Sequence, residues 1–404
     1  MYIDYSDGRY YNVIVITNRK GLIGMNLSKI ISVISAVMIC ISCTACSAKD
    51  SGKSIGDMRD ITSMELTSEM KLGWNLGNTL DVCAADRDGD GKVNEAPADG
   101  EKVDETLWGN AKATKQLFDS MKDNGVNLVR IPVTWRDHMG GAPDYKIDDD
   151  WMARVHEVVD YAIDNDMYVI LNIHHDGGGD PKFGAWVIET AVNDYDAFIE
   201  RYDAVWTQIA DEFQDYSDHL IFESMNEVGF DKLGENDAYD LLNKINQHFV
   251  DLIRSTGGNN PKRHLLIAGY WTDIAKTCDS RYKMPEDPEN RCILSVHYYT
   301  PWEFCVTNLQ NTWGTDSDVR LLESKMNMLK TNFIDKGVPV IIGEYGTDGR
   351  NDRESRIKFN DTVVSTCHSM GIPCCIWDDG GVVDRTTGEW TTEGMLEGLQ
   401  QAIG

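Results

Sequence analysis

The chain has 404 residues, 42% hydrophobic and 26% charged with only 10 prolines, a globular composition with room for one large domain. Lys and Arg number 38 against 66 Asp and Glu, a formal charge of −28, which excludes nucleic acid as a partner because a polyanion would be repelled across the surface. Such a surface suits a protein that works outside the cell on a neutral polymer.

Residues 1–48 read as an N-terminal extension and export signal. From Met25, Lys29 precedes an apolar segment over 30–41 and then Ser42-Cys43-Thr44-Ala45-Cys46. A cation, roughly twelve apolar residues and a small-residue exit make an export signal, too short to span a bilayer. Thr44-Ala45-Cys46 resembles a bacterial lipobox, which implies cleavage before Cys46 and a lipid anchor on it. Plain secretion with cleavage after Ala48 is the alternative. The expected location is extracellular or tethered to a bacterial cell surface, the membrane being met only through that lipid. Residues 49–61 read as a polar linker and 62–404 as the folded domain.

Eight apolar runs read as strands, at 73–76, 126–133, 168–174, 220–225, 264–268, 293–297, 338–343 and 372–377. Amphipathic stretches separate most of them, such as Trp151-Val155-Val158-Val159-Ala162 and Phe198-Tyr202-Val205-Ile209, with helical spacing. The segment after the fifth run, 273–289, is polar and loop-like. Buried strands alternating with helices predict parallel pairing, and eight repeats predict a single closed (β/α)8 barrel. No Gly-x-Gly-x-x-Gly follows the first strand, against a dinucleotide fold. Of the ten cysteines, Cys40, Cys43 and Cys46 fall in the signal. The others lack zinc spacing; Cys374 and Cys375 read as buried thiols, and one bridge among Cys278, Cys292 and Cys305 is an expectation.

In such a barrel, chemistry sits at the C-terminal ends of the strands. Those ends carry Asn78, Arg130, His174-His175-Asp176, Asn226-Glu227, Tyr270-Trp271, His297-Tyr298-Tyr299, Glu344 and Trp377-Asp378. Two carboxylates on separate strand ends are what glycosidic cleavage uses, one protonated and one ionised. Arg130 is expected to hold Glu344 ionised as nucleophile, with Tyr299 donating to it. Glu227, with no cation adjacent in sequence, is expected to act as acid and then base. Asn226 suits a sugar 2-hydroxyl, Trp377 a stacked pyranose, and His174 and His297 further hydrogen bonds.

Seven segments then fall in barrel order. They are Gly73-Trp74-Asn75-Leu76-Gly77-Asn78-Thr79-Leu80-Asp81, Val129-Arg130-Ile131-Pro132-Val133-Thr134-Trp135, Asn172-Ile173-His174-His175-Asp176, Asn226-Glu227, His297-Tyr298-Tyr299-Thr300-Pro301, Gly343-Glu344-Tyr345-Gly346 and Trp377-Asp378-Asp379-Gly380. From about residue 70 onward the chain resembles glycoside hydrolase family 5, most of all its bacterial endoglucanase branch. The resemblance implies a retaining endo-β-1,4-glucanase with Glu227 as acid/base and Glu344 as nucleophile. It places other active-site positions on Arg130, His174, Asn226, His297, Tyr299 and Trp377, a neighbouring sugar contact on His175, and Asn78 at the same end of the cleft. A β-glucan polysaccharide is the implied partner, a monomer the expected state, and no cofactor is required. Xyloglucan, mixed-linkage glucan or mannan would use the same mechanism. Two positions depart from the family pattern: Val228 stands where proline usually follows the acid/base, expected to alter loop rigidity. Asp379 replaces an amide and puts a charge near the substrate.

Other readings compete for some of these residues. His174, His175 and Asp176 could form a metal site of a metal-dependent hydrolase, but no further ligand sits at suitable spacing. A non-catalytic glycan-binding lipoprotein would be expected to have lost Glu227 or Glu344, and both are present. Trp74, Trp135, Trp186, Trp302 and Trp313 fit barrel packing as well as sugar platforms. The loop from Asp86 through Asp88 and Asp90, with Gly91 and Val93 at the sixth and eighth positions, matches a calcium loop except that Pro97 fills the twelfth. A structural calcium ion there and an acidic surface loop are the two readings.

Overall fold

Each of the eight apolar runs becomes a strand buried on both faces, which only a covered parallel sheet allows. The computed structural model describes residues 56–86, 93, 95–98, 101–179 and 181–404. The export signal, Cys46, Asp88 and Asp90 lie outside the described residues. The strands are β1 (Leu72–Asn75), β2 (Val126–Ile131), β3 (Tyr168–Asn172), β4 (Leu220–Glu223), β5 (Leu265–Asp273), β6 (Cys292–Tyr298), β7 (Val340–Tyr345) and β8 (Cys374–Ile376). Each pairs in parallel with the next, and β8 returns to β1 to close the barrel. The predicted (β/α)8 architecture is the observed one.

Every strand's bounds shift by a residue or two, and the fifth shifts most. The fifth strand runs on past Ala268 to Asp273, because left-handed backbone at Trp271 and Thr272 bends it and lets Asp273 pair again with His297. As expected, its crossover is nearly helix-free, with only Ile274–Thr277 helical before β6. The eighth strand is shorter than read, three residues.

Inward-pointing residues set the site. A helix ahead of the barrel, α1 (Ser63–Glu69), starts in a capping box between Thr62 and Glu65, which satisfies two otherwise orphaned amides. Its Leu66, with Met70, packs under an inner layer of Leu128, Ile170, Ile221, Leu266, Ile293, Ile341 and Cys375 and closes the N-terminal mouth. Two residues further along, where the period of a strand returns the side chain to the same face, the layer turns polar. Arg130 follows Leu128, Asn172 follows Ile170, Glu223 follows Ile221 and Ser295 follows Ile293, all fully buried. Outside, the predicted helical faces are buried as read, Trp151, Val155 and Val158 on the helix Asp149–Ile163 and Phe198, Tyr202 and Val205 on the helix Tyr195–Glu212.

The described cysteines are all free, which corrects the expected bridge. Cys292 opens β6 while Cys305 lies beyond its other end, about 20 Å away for seven strand residues and far past disulfide reach. Cys278 points instead toward Asn332. Cys374 and Cys375 are buried as read.

Candidate active site

The polar layer is organised by Arg130, whose guanidinium is fully buried and spends every edge. Its Nε donates to Glu223 at 2.7 Å, Nη1 to Glu344 at 2.7 Å and Asn75 at 3.1 Å, and Nη2 to Asn226 at 2.8 Å. Glu223 also accepts from Asn172 at 2.9 Å and Ser295 at 2.7 Å. Glu344 takes a second donor, the Tyr299 hydroxyl, at 3.0 Å. Both of its oxygens are thereby fixed.

Glu227 leaves the end of β4 through left-handed backbone, φ +46°, and a third of its side chain reaches solvent. His297 Nδ1 lies 3.0 Å from Glu227 Oε1 and 3.6 Å from Glu344 Oε2. One oxygen of each carboxylate and a His297 nitrogen all lie within 4.8 Å of one another. Arg130 pulls the Glu344 carboxyl toward ionisation as the sequence predicts, but other influences outweigh it. Burial, with the Glu227 charge adding, pushes the Glu344 carboxyl above its ordinary range against the pull of His297 and Arg130. The same guanidinium also serves Glu223, a second buried carboxylate. Glu227 is pushed up by burial, but the His297 hydrogen bond outweighs this and brings it below the ordinary range. The His297 tautomer decides which partner donates across that contact.

These groups floor a cleft of about 650 Å3. A hollow of about 150 Å3, lined by Trp271, His297 and Lys325, adjoins it and shares Glu227, Tyr299 and Trp302. The carboxylate pair therefore sits partway along a longer trough. Trp377 lines the cleft with one face stacked on His174, ring centres 5.6 Å apart at 8°. Its position is set by Asp378, fully buried, which accepts from Trp74 Nε1 at 2.9 Å and Arg385 Nη1 at 2.6 Å. Burial first, then its histidine neighbours and Arg130, push the His174 imidazole well below its ordinary range. His175 stacks on Phe183 at 4.1 Å, and Asp379 is exposed at the rim.

Most of the predicted set converges on this trough: Glu227, Glu344, His174, His175, Asn226, Tyr299, Trp377 and Asp379 line it, and Arg130 and His297 support it. Asn78 is not among the lining residues; left-handed backbone turns it aside, and its carbonyl accepts from Asn110 at 2.8 Å. Asp176 takes no part either. It accepts from the amides of Trp135 and Arg136 and from Trp186 Nε1, which dissolves the His174-His175-Asp176 metal reading. Asp81, which the sequence reading passed over, lies beside the two histidines instead. Trp74, Trp135, Trp186 and Trp313 are packed, whereas Trp302 is 57% exposed on the cleft. Asp86 closes one end of the acidic loop, whose neck is the Ala85–Glu95 bridge.

Comparison with known proteins agrees with this geometry. The Cellulase (glycosyl hydrolase family 5) model matches residues 92–381. Endoglucanase A of Ruminococcus albus is 39% identical over 85% of this chain and 93% of the relative. Endoglucanase B of Neocallimastix patriciarum is 38% identical over 86% of this chain and 73% of the relative. A GH5-4 broad specificity endoglucanase from Ruminococcus champanellensis, with bound cellotriose, superposes with a TM-score of 0.75 at 36% identity, covering 85% of this chain and 99% of that one. By its closed barrel, its carboxylate pair and these matches, the chain belongs to glycosyl hydrolase family 5.

Proposed function

We propose that the protein is a retaining endo-β-1,4-glucanase in which Glu344 attacks the anomeric carbon and Glu227 protonates the leaving oxygen. The observation that carries this is the short gap between the two carboxylates, 4.8 Å or less between oxygens. Retaining glycosidases hold their carboxyls about 5–5.5 Å apart, whereas inverting ones leave about 6.5–9.5 Å for a water. Glu344 suits the nucleophile because Arg130 and Tyr299 hold both oxygens still. Glu227 suits the acid/base because its side chain is partly exposed and its Oε1 meets His297 Nδ1 at 3.0 Å. Asn226 gives its carbonyl oxygen to Arg130 and keeps its amide nitrogen for a sugar hydroxyl.

The trough on both sides of the pair suits an internal bond of a chain, and the named relatives are endoglucanases. A panel of carboxymethylcellulose, xyloglucan, mixed-linkage β-glucan and glucomannan, with the product anomer followed by NMR, tests this. Initial release of the β-anomer is expected; initial α-anomer would overturn the double displacement. The same panel decides between cellulose-like chains and the hemicelluloses.

Export belongs to the same reading. No helix among the described residues is long and apolar enough to cross a membrane, and the proposal is a lipid on Cys46; absence of label on Cys46 after feeding a lipid precursor would remove it. Calcium at the 86–94 loop is proposed as structural, and an unchanged melting temperature between calcium and chelator would refute it.

A further inference from the structure

A second group of ligating side chains lies on the β1–β3 side of the cleft and takes no part in the proposed chemistry. Asp81 is fully buried; its Oδ1 accepts from the Thr79 amide at 2.8 Å, while its Oδ2 has no hydrogen-bond partner. His175 is 8% exposed, its Nδ1 also buried and unpartnered, and its Nε2 lies 3.7 Å from Asp81 Oδ2. That distance is too long for a hydrogen bond. His174, 2% exposed, brings a ring nitrogen to within 4.8 Å of both.

An unpartnered buried carboxylate oxygen is costly, and Asp81 Oδ2 faces His175 Nε2 across a gap that a cation would bridge. With metal–nitrogen and metal–oxygen bonds of about 2.0–2.2 Å, tetrahedral ligands stand roughly 3.3–3.6 Å apart, close to the gap seen here. Two imidazoles and one carboxylate are the donor set of an open three-ligand zinc site, and nitrogen donors discriminate against calcium and magnesium. The supports are already built. The Thr79 amide orients Asp81, and Phe183 packs on the His175 ring, the kind of outer-shell contact that fixes a ligand.

We propose that Asp81 and His175, completed by His174, bind a divalent transition-metal ion of the zinc class, and that its occupancy inhibits the enzyme. His174 and His175 line the cleft, so a bound ion withdraws both rings from the sugar and places its own water in the path. The binding stands independently of the glucanase reading; the inhibition rests on it.

Calorimetric titration of the chelator-stripped full chain with zinc chloride, in excess calcium to occupy any oxygen-only site, tests both parts. One equivalent is expected to bind, raising the melting temperature. Asp81→Asn and His175→Gln are each expected to weaken binding by at least about tenfold. Glu344→Gln is expected to leave it unchanged, which separates this site from the Glu227–His297–Glu344 group. Should Asp81→Asn not fold, His175→Gln alone decides. No uptake at about 1 mM zinc, uptake indifferent to the folded Asp81 and His175 variants, or loss of uptake in Glu344→Gln would overturn the site. Zinc bound at Asp81 and His175 with hydrolysis undiminished would overturn the inhibition alone.

Discussion

Replacing Glu223 by Gln isolates the electrostatic work done beneath the active site. The shape is kept: Oε1 can still accept from Arg130 and Asn172, and the new amide can donate to Ser295, whose hydroxyl turns to accept. What is lost is one negative charge on the guanidinium that Glu344 also uses. Across one guanidinium the two carboxylates are taken as roughly 6 Å apart, and at an effective dielectric of about 20 their repulsion is about 2–3 kcal/mol, or about two pH units on Glu344. Removing it makes Glu344 easier to ionise. The acid limb of kcat/KM, which reports the free enzyme's nucleophile, should therefore move to lower pH by about one to two units. The alkaline limb, set by the more distant Glu227, should follow by less. Stability should fall by about 1.5–3 kcal/mol, because Arg130 exchanges a charged partner for a neutral one. A folded variant whose acid limb stays put, or moves to higher pH, would refute the shared-cation argument.

Other perturbations probe single contacts. Glu227→Gln should lose at least about 100-fold on polysaccharide yet far less on aryl glycosides with acidic leaving groups, which need no protonation; an equal loss on both would exclude Glu227 as the acid. Tyr299→Phe removes one of the donors on Glu344 and should lower kcat by about tenfold or more with KM little changed, measured by steady-state kinetics on a soluble glucan. Asp361, in the helix Arg353–Ser369, is pushed up to about 6 by burial and its Oδ1 has no partner. Its folded-state pKa is raised, so the protonated form favours folding. That contribution is lost as pH rises from about 4 to about 6. Asp361→Asn should raise the melting temperature at pH 8 and flatten its change across that window; a lower melting temperature at pH 8 would refute this.

The strand ends were legible because polar and aromatic residues gathered where apolar runs stopped. Reading only the ends hid what lies inside the runs. Glu223 is four residues before Glu227, inside the 220–225 run, yet it shares the Arg130 guanidinium with Glu344. A signal for it exists. Polar residues recur two positions after an inward aliphatic in four strands, at Arg130, Asn172, Glu223 and Ser295, and period two marks them as one layer. The tryptophans carried no such signal, since exposure separates Trp302 from Trp74 and depends on loops that fold around them. Asp81 and His175 are likewise 94 positions apart, brought together by the pairing of β1 with β2 and β2 with β3.

Val228 also means something different once folded. A proline there would bias Glu227 toward extended backbone, whereas Glu227 is left-handed, a conformation that costs a non-glycine residue about 1–2 kcal/mol. Surroundings must hold it. The Gly179 amide donates to the Glu227 carbonyl at 3.1 Å, the Trp271 amide to the Val228 carbonyl at 2.8 Å, and the Val228 side chain is fully buried. Gly178 makes this possible, for a Cβ on it would lie 2.0 Å from the Glu227 carbonyl oxygen. Gly178→Ala must therefore displace the Glu227 backbone, and an ångström of misplacement at a reacting group costs about 100-fold. The expected result is a folded protein with kcat down by that order while the Glu344-dependent acid limb stays in place. Wild-type turnover in Gly178→Ala would show that the clamp does not position the acid, and Val228 would then be the rigidity change it resembles in sequence.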